Sequence, residues 1–308
     1  MAKFRIGTRA SLLALTQTRW VVARLQAHFP GLEIEEVLIT TEGDLSTTPL
    51  SESKTPGVFV SALRHALFDG QVDFVVHSMK DLPAKPEPGI SLAAVPTRED
   101  VRDVLVSKGN LGLEALKLGA RVGTSSPRRA ATLRQLRPDL DLVSIRGNVD
   151  TRISKVREGD YDATVLALAG LNRIGRSAEL SEIFAPEIMI PAPGQGALAV
   201  ELRSQDQELL AVLGAIDNAT DRLVTTAERA VLRGLGASCA TPIGAFARFD
   251  RGELSLTTEL AVEATGEAIR VSKSIQCTPH DIDEAENLGL QAAAEMLKSE
   301  IADRAALK

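Results

Sequence analysis

Two distant stretches of this chain follow one plan. Arg5-Ile6-Gly7-Thr8-Arg9-Ala10-Ser11 and Arg121-Val122-Gly123-Thr124-Ser125-Ser126 each pass from an apolar strand through a glycine and a hydroxyl-bearing turn into a helical pattern. Later strands echo too, Val72-Asp73-Phe74-Val75-Val76 matching Tyr161-Asp162-Ala163-Thr164-Val165-Leu166. Short apolar runs alternating with helix-period patterns through about residue 205 restrict the fold to α/β layers with largely parallel strands. The expectation is two similar α/β domains facing across a cleft, joined by crossings near Pro96 to Asp103 and Ile190 to Gly196. Ligands of such sheets bind beyond the carboxyl ends of the strands.

In the first unit the pattern predicts a strand over Phe4 to Gly7, a helix from about Ser11 to Phe29 stopped by Pro30-Gly31, and a strand over Ile34 to Ile39. Residues 41 to 56, rich in Thr, Ser and Pro, form a long connection of the kind used as a lid or left mobile. A helix over Val58 to Asp69 stops at Gly70 and feeds a strand, Val72 to Val76, that ends in His77-Ser78-Met79-Lys80-Asp81-Leu82-Pro83. The second unit gives strand Arg121 to Gly123, helix Pro127 to Arg137, strand Leu140 to Ile145, a Gly147-Asn148 turn, helix Val149 to Glu158 and strand Asp162 to Ala167. The tail differs. A helix over Thr220 to Arg233, strands around Ile243 to Phe249, Leu254 to Ala264 and Ala268 to Gln276, and a helix from about Ile282 to Ile301 read as a small α+β domain with an antiparallel sheet. The expected division is 1–98 with 194–216, then 99–193, then 217–308.

The 308 residues, 44% of them hydrophobic, supply cores for two or three domains. Lys+Arg 35 against Asp+Glu 41 leaves a net charge of −6, which favours neither nucleic acid nor an anionic membrane as partner. No apolar run approaches the ~20 residues of a membrane span. Met1-Ala2-Lys3 leads directly into a strand and not into a signal-peptide core, so a cytoplasmic protein is expected. Cys239 and Cys277 are too few and too far apart for a disulfide framework or a thiolate metal set, and the histidines are dispersed; no metal is expected.

The run Val122 to Arg129 sets two adjacent guanidiniums at a helix start. Ser126 suits the N-cap and Pro127 the first helical position, so open N–H groups with Arg128 and Arg129 would cradle a carboxylate or phosphate. An ordinary turn with solvated arginines is the alternative. Other strand-following turns bring Arg9, Lys80, Arg146, Arg152 and Arg173, with Asp81 the one carboxylate among them. So many cations suit a ligand bearing several carboxylates or phosphates, and no Walker loop or G-x-G-x-x-G points to a nucleotide. Asp81 is either a turn residue before Leu82-Pro83 or a carboxylate held charged by neighbouring arginines, able to stabilise a developing cation and relay a proton. Cys239, flanked by small residues, is either a buried small hydrophobe or a thiol that something bulky approaches.

His77-Ser78-Met79-Lys80-Asp81, Gly123-Thr124-Ser125-Ser126-Pro127-Arg128-Arg129, Arg146-Gly147-Asn148-Val149-Asp150-Thr151-Arg152, Ala169-Gly170-Leu171-Asn172-Arg173 and Pro193-Gly194-Gln195-Gly196-Ala197 resemble, in order, the porphobilinogen deaminase (hydroxymethylbilane synthase) family. The resemblance runs from Arg5 to about Gly244. It implies two lobes like those of periplasmic binding proteins plus a small C-terminal domain, and a monomeric transferase of porphyrin and haem biosynthesis. That enzyme joins four porphobilinogens head to tail, releasing ammonia, to give hydroxymethylbilane on a dipyrromethane primer. Cys239 would carry the primer through a thioether. Loss of the aminomethyl nitrogen leaves an electrophilic methylene-pyrrolenine cation, which the free α-carbon of the growing polypyrrole chain attacks. Asp81 would accept pyrrole N–H groups, stabilise the positive charge and assist proton transfer.

The resemblance also implies that Ser78, Lys80, Thr124, Ser125, Ser126, Arg128, Arg129 and Arg146 hold the cofactor, together with Asp81. Arg9, Ser11, Arg146, Arg152, Arg173 and Gln195 would serve the incoming substrate or moving chain. Phe59 would stack on a pyrrole ring, a plain core phenylalanine being the alternative. Two stretches depart from the family pattern. Ser51 to Gly57 has Glu52 and Pro56 where lysines often stand, with Lys54 nearby, and Gly236-Ala237-Ser238-Cys239 replaces an acidic residue and a glycine pair. The rival from another class is a solute-binding protein that clamps a polyanion without chemistry; it would require export and no reactive Asp81 or Cys239. A family member reduced to pyrrole binding or regulation is a second rival.

Overall fold

The computed structural model describes residues 3–40, 58–237 and 241–305. They form two compact units, Met1–Arg98 with Ala197–Arg222 and Glu99–Gly196 with Leu223–Lys308. In chain order come β1 (Lys3–Thr8), α1 (Leu12–His28), β2 (Glu33–Leu38), α2 (Val58–Phe68), β3 (Phe74–Ser78), β4 (Ile90–Ala94) and β5 (Asp103–Ser107). Then follow β6 (Arg121–Gly123), α3 (Pro127–Leu136), β7 (Asp141–Val143), α4 (Val149–Glu158), β8 (Ala163–Ala167), α5 (Leu168–Arg173) and β9 (Glu182–Ile183). The chain continues through β10 (Leu198–Arg203), α6 (Gln207–Gly214), α7 (Ala219–Leu235), β11 (Ile243–Asp250), β12 (Glu253–Ala261), β13 (Ala268–Gln276), α8 (Ile282–Met296) and α9 (Glu300–Arg304).

The internal echo is real. One sheet has the order β2-β1-β3-β10-β4 and the other β7-β6-β8-β5-β9, while β11-β12-β13 form a separate antiparallel sheet. In each five-stranded sheet the βαβ strands are parallel, β1 with β2 and β3, β6 with β7 and β8. A single strand in each runs against its neighbours, β10 against β3 and β4, and β5 against β8 and β9. These are the strands that follow the two crossings. A strand that reaches a sheet at the carboxyl ends of its neighbours, without a crossover helix, has to run against them.

Each five-stranded sheet is covered on both faces. In the first, Ile6, Phe74, Leu198 and Val200 pack with Val21 and Leu25 of α1, and Val75 meets Leu63 and Leu67 of α2 from the other side. In the second, Val122, Val165 and Leu133 share one cluster and Val104, Leu166 and Ile153 another. Leu223, Ala227 and Val231 of α7 and Leu288 and Ala292 of α8 cover the antiparallel sheet.

Several elements end earlier or start later than their patterns suggest, the strand expected over Leu254 to Ala264 ending at Ala261 among them, and three of these shifts have a clear local reason. β3 starts at Phe74 and not Val72, because Val72 N–H closes onto Ala66 O and Asp73 accepts from Arg5 N, Nε and Nη2 at 2.7, 3.3 and 2.9 Å. β7 stops at Val143, since Ile145 turns aside to bond Ser125 through both its N–H and its carbonyl. The last helix breaks after Met296, whose carbonyl accepts from Ser299 Oγ at 2.7 Å, a side-chain bond that competes with the helical ladder.

A buried ion cluster joins α2 to the sheet. Arg64 Nε and Nη2 donate to Glu201 on β10 at 2.9 and 2.7 Å, and His77 Nε2 lies 3.3 Å from the same carboxylate. Burial alone would raise the Glu201 carboxyl, but its bonds to Arg64 and His77 bring it down to about 2. A carboxyl depressed on folding stabilises the protein above its unfolded value and loses that contribution as pH falls to the folded one. Glu201→Gln should therefore cost roughly 3 kcal/mol at neutral pH, by leaving the buried Arg64 to the longer contact with the exposed Glu87 carboxylate. Urea unfolding between about pH 4.5 and 2 should show a shallower acid dependence in this variant than in the wild type.

Candidate active site

β3 ends at Ser78 and turns into a single 3-10 turn, Met79–Asp81. Met79 is buried and its N–H donates to Ala197 O at 3.0 Å, while Leu82 N–H returns to Met79 O at 3.1 Å. These anchors leave Lys80 half-buried and Asp81 exposed, just past the carboxyl end of a central strand. Ser78 Oγ accepts from Gln17 Nε2 at 2.8 Å, which ties the strand end to α1. At the neighbouring strand end, Ser11 caps α1 by accepting from Ala14 N–H at 3.4 Å, with Arg9 half-buried before it.

The second unit builds its counterpart at the head of α3. Ser126 is the N-cap, accepting from Arg129 N–H at 3.4 Å, and Pro127 takes the first turn as its fixed φ favours. Ser126 N–H donates to Thr124 Oγ1 at 3.2 Å. Ser125 Oγ donates to Ile145 O at 2.7 Å, stitching this turn to the segment that carries Arg146.

Arg128 and Arg129 are buried and not solvated. Arg129 donates through Nε and Nη2 to Asp103 Oδ1 at 3.1 and 2.7 Å and through Nη1 to Val165 O at 2.8 Å. Arg128 donates through Nη1 to Ile190 O at 2.7 Å and sets Nη2 2.8 Å from Asp103 Oδ2. Burial would raise the Asp103 carboxyl, yet the two arginines draw it down to about 2. For Arg128 burial outweighs Asp103, and its pKa falls below the usual arginine value. Asp103 is thus clasped by two arginines, a pairing that no sequence motif singles out. The available signal was an acid at the mouth of an apolar strand, Asp103-Val104-Leu105-Val106, directly after a crossing.

The remaining residues fall around the same strand ends. Arg173 closes α5 and donates to Gly196 O at 2.6 Å; burial pulls its guanidinium down to about 10, with Glu99 opposing. Gln195 is buried and donates to Val101 O and Asp103 Oδ1 at 2.7 and 3.0 Å. Gly194 N–H donates to Glu228 Oε2 at 2.7 Å, and the other Glu228 oxygen accepts from Ala247 N–H at 2.9 Å. Glu228 is fully buried inside α7, where an amphipathic pattern gives no hint of it. Arg152 Nε donates to Gly147 O at 2.9 Å, and Arg146 is half-buried. Cys239, Ser238, Glu52, Lys54 and Pro56 lie outside the described residues, as does the side chain of Phe59 at the start of α2. Among the described residues no group of His, Cys, Asp or Glu could hold a metal ion, and no helix is long and apolar enough to cross a membrane.

Cationic side chains at strand ends and a helix N-terminus holding buried guanidiniums define an α/β protein whose exposed and buried positive charges have the chemistry of an anion site. Comparison with known proteins makes this specific. The family model described as porphobilinogen deaminase, dipyrromethane cofactor binding domain, matches residues 4–211, and its C-terminal domain matches 223–298. The chain is 49% identical to a porphobilinogen deaminase of Leifsonia xyli, over 99% of this chain and 94% of that one. It is 47% identical to the Thermobifida fusca protein of the same name, over 96% and 93%. Among solved structures, an arginine-specific periplasmic binding protein of Salmonella typhimurium is similar at a TM-score of 0.40 and 14% identity, over 70% of this chain and 92% of that one. The chain belongs to the porphobilinogen deaminase family.

Gly196 ends the returning segment at a φ of 87°, and a Cβ there would stand 2.3 Å from the Glu99 carbonyl oxygen. Both the left-handed backbone and the contact exclude a side chain. Gly196→Ala should destabilise the fold by roughly 3 kcal/mol, seen as a lower urea midpoint at unchanged m-value.

Proposed function

We propose that Asp81 and Cys239 are the chemically active residues of this chain's reaction, and that the strand-end cations hold the carboxylates of its ligands. The reaction is the family's: four porphobilinogens are condensed head to tail with loss of ammonia to hydroxymethylbilane, in tetrapyrrole biosynthesis, with dipyrromethane as cofactor. The observation that carries the site reading is the pair of buried guanidiniums at the head of α3, which share a single protein carboxylate.

The donor set fits dipyrromethane. Its pyrroles bear acetate and propionate groups, and Arg128 and Arg129 keep positive charge that Asp103 alone does not match. Arg173 is a half-buried cation whose lowered pKa an added anion would restore. On this reading Arg128, Arg129, Ser126, Thr124, Ser125, Ser78, Lys80 and Arg146 hold cofactor carboxylates, with Cys239 as the thioether attachment. When bound, dipyrromethane supplies the pyrrole end to which substrate rings are added. Arg9, Ser11, Arg152, Arg173 and Gln195 receive substrate or the lengthening product, and Phe59 stacks against a ring. Asp81, exposed on its short turn, accepts pyrrole N–H bonds on its carboxylate oxygens, faces the positive charge left as ammonia departs, and takes up the proton released after ring joining.

The same proposal includes the three-domain division at 1–98 with 194–216, 99–193 and 217–308. It places the chain in the cytoplasm as a monomer without nucleic acid or membrane partners, in keeping with its net charge of −6. Denatured intact mass of the wild type, Cys239→Ser and Asp81→Ala tests the core of it. The wild type and Asp81→Ala should carry an excess of two linked pyrrole units that Cys239→Ser lacks. Asp81→Ala should keep its fold while ammonia release falls by at least about 100-fold. An unmodified wild-type mass after incubation with porphobilinogen, or normal ammonia release from Asp81→Ala, would overturn these assignments.

A further inference from the structure

Asp103 opens β5 and has no exposed surface. Its oxygens are divided: Oδ1 takes two donors of Arg129 and Nε2 of Gln195, and Oδ2 faces Arg128. The two guanidiniums are further anchored by the backbone carbonyls of Ile190 and Val165, and the nearby Glu259 carboxylate, which also favours Arg128 in its charged form, is itself paired with Arg270. Two cations in direct contact with one anion leave one positive charge withdrawn from water. Holding an unmatched buried charge is costly unless a ligand supplies its counterion. A carboxylate brings one negative charge and fits that surplus; a phosphate near neutral pH brings closer to two.

We propose that Asp103 is the positioning residue of the carboxylate cradle: it fixes both guanidiniums from its separate oxygens and, by cancelling one of their charges, sets the cradle to take a single carboxylate in preference to phosphate. This rests on the reading of Arg128 and Arg129 as ligands of the cofactor carboxylates. Asp103 touches no ligand itself. It acts through the arginines, whose fork geometry is productive only when both oxygens of the aspartate hold them.

The test uses full-length chain produced in cells unable to make porphobilinogen, then incubated with porphobilinogen and followed by intact mass. Wild type, Asp103→Asn and Asp103→Glu are compared, with circular dichroism to report the fold. Folded Asp103→Asn should load at least tenfold more slowly than wild type. Asp103→Glu, which restores the charge one methylene out of place, should load two- to fivefold more slowly. Millimolar inorganic phosphate should slow loading of Asp103→Asn more than that of wild type. A purely structural role would lower the melting temperature and leave loading by folded molecules unchanged, so wild-type loading by folded Asp103→Asn would overturn the inference. If Asp103→Asn does not fold, wild-type loading by Asp103→Glu overturns it instead. Equal phosphate sensitivity would overturn the charge-setting half. A wild type that never loads would overturn the cofactor reading, and this inference with it.

Discussion

One fully buried carboxylate organises the second unit. Asp103 binds the start of β5 to the first turn of α3 through both arginines, and to the returning segment through Gln195. Arg129 extends the connection to β8 at Val165, and Arg128 extends it to Ile190. The start of β5, the head of α3 and the Gln195 segment, remote in sequence, therefore meet on one side chain, and the arginines carry the connection on to Val165 and Ile190. Without it, two guanidiniums would face each other with carbonyl dipoles as their remaining anchors, an arrangement far less favourable than an ion pair in a dry interior.

The first unit solves the same problem with a different outcome. There too the reversed strand delivers a buried acid, Glu201 on β10, to a buried arginine on a helix, Arg64 on α2. Glu87 adds a second acid 3.5 Å from Arg64, and His77 is the third side chain against Glu201. Protein carboxylates outnumber protein guanidiniums in that cluster, and no surplus positive charge remains for a ligand. Around Asp103 the count is inverted. Two sheets with one topology thus carry one ion cluster in which acids outnumber guanidiniums and one in which two guanidiniums share a single contacting acid, the one to which the proposed function assigns binding.

Much of this was readable from the residues. The strand, glycine and hydroxyl echo named two sheets of the same plan, the helix Val149–Glu158 and strand Ala268–Gln276 are realised to the residue, and Ser126 and Pro127 head α3 as their chemistry requires. Periodicity was blind to what side chains do to element ends. Nothing in Leu140 to Ile145 announces that Ser125 will draw Ile145 out of the ladder. Pairing across long sequence separations was equally hidden: Arg128 and Arg129 were visible as cations, but that both converge on Asp103 is a property of the fold. Asp81 attracted attention because it stands among cations in the sequence, whereas the arginine-clasped acid had to be found in three dimensions.

The imbalance around Asp103 links ligand and stability. A group that binds the folded chain and not the unfolded one raises folding stability in proportion to the logarithm of its occupancy. A carboxylate that completes the arginine cradle does more than occupy it, because it removes the cost of an unmatched buried cation. A freely dissociating ligand would return that cost with every departure. A covalently held one does not, and a thioether at Cys239, as proposed, is such a link. Under the proposed attachment, tethering would give this unit a permanent counterion, so that Arg128 and Arg129 would stay balanced while carboxylate-rich chains bind and leave elsewhere.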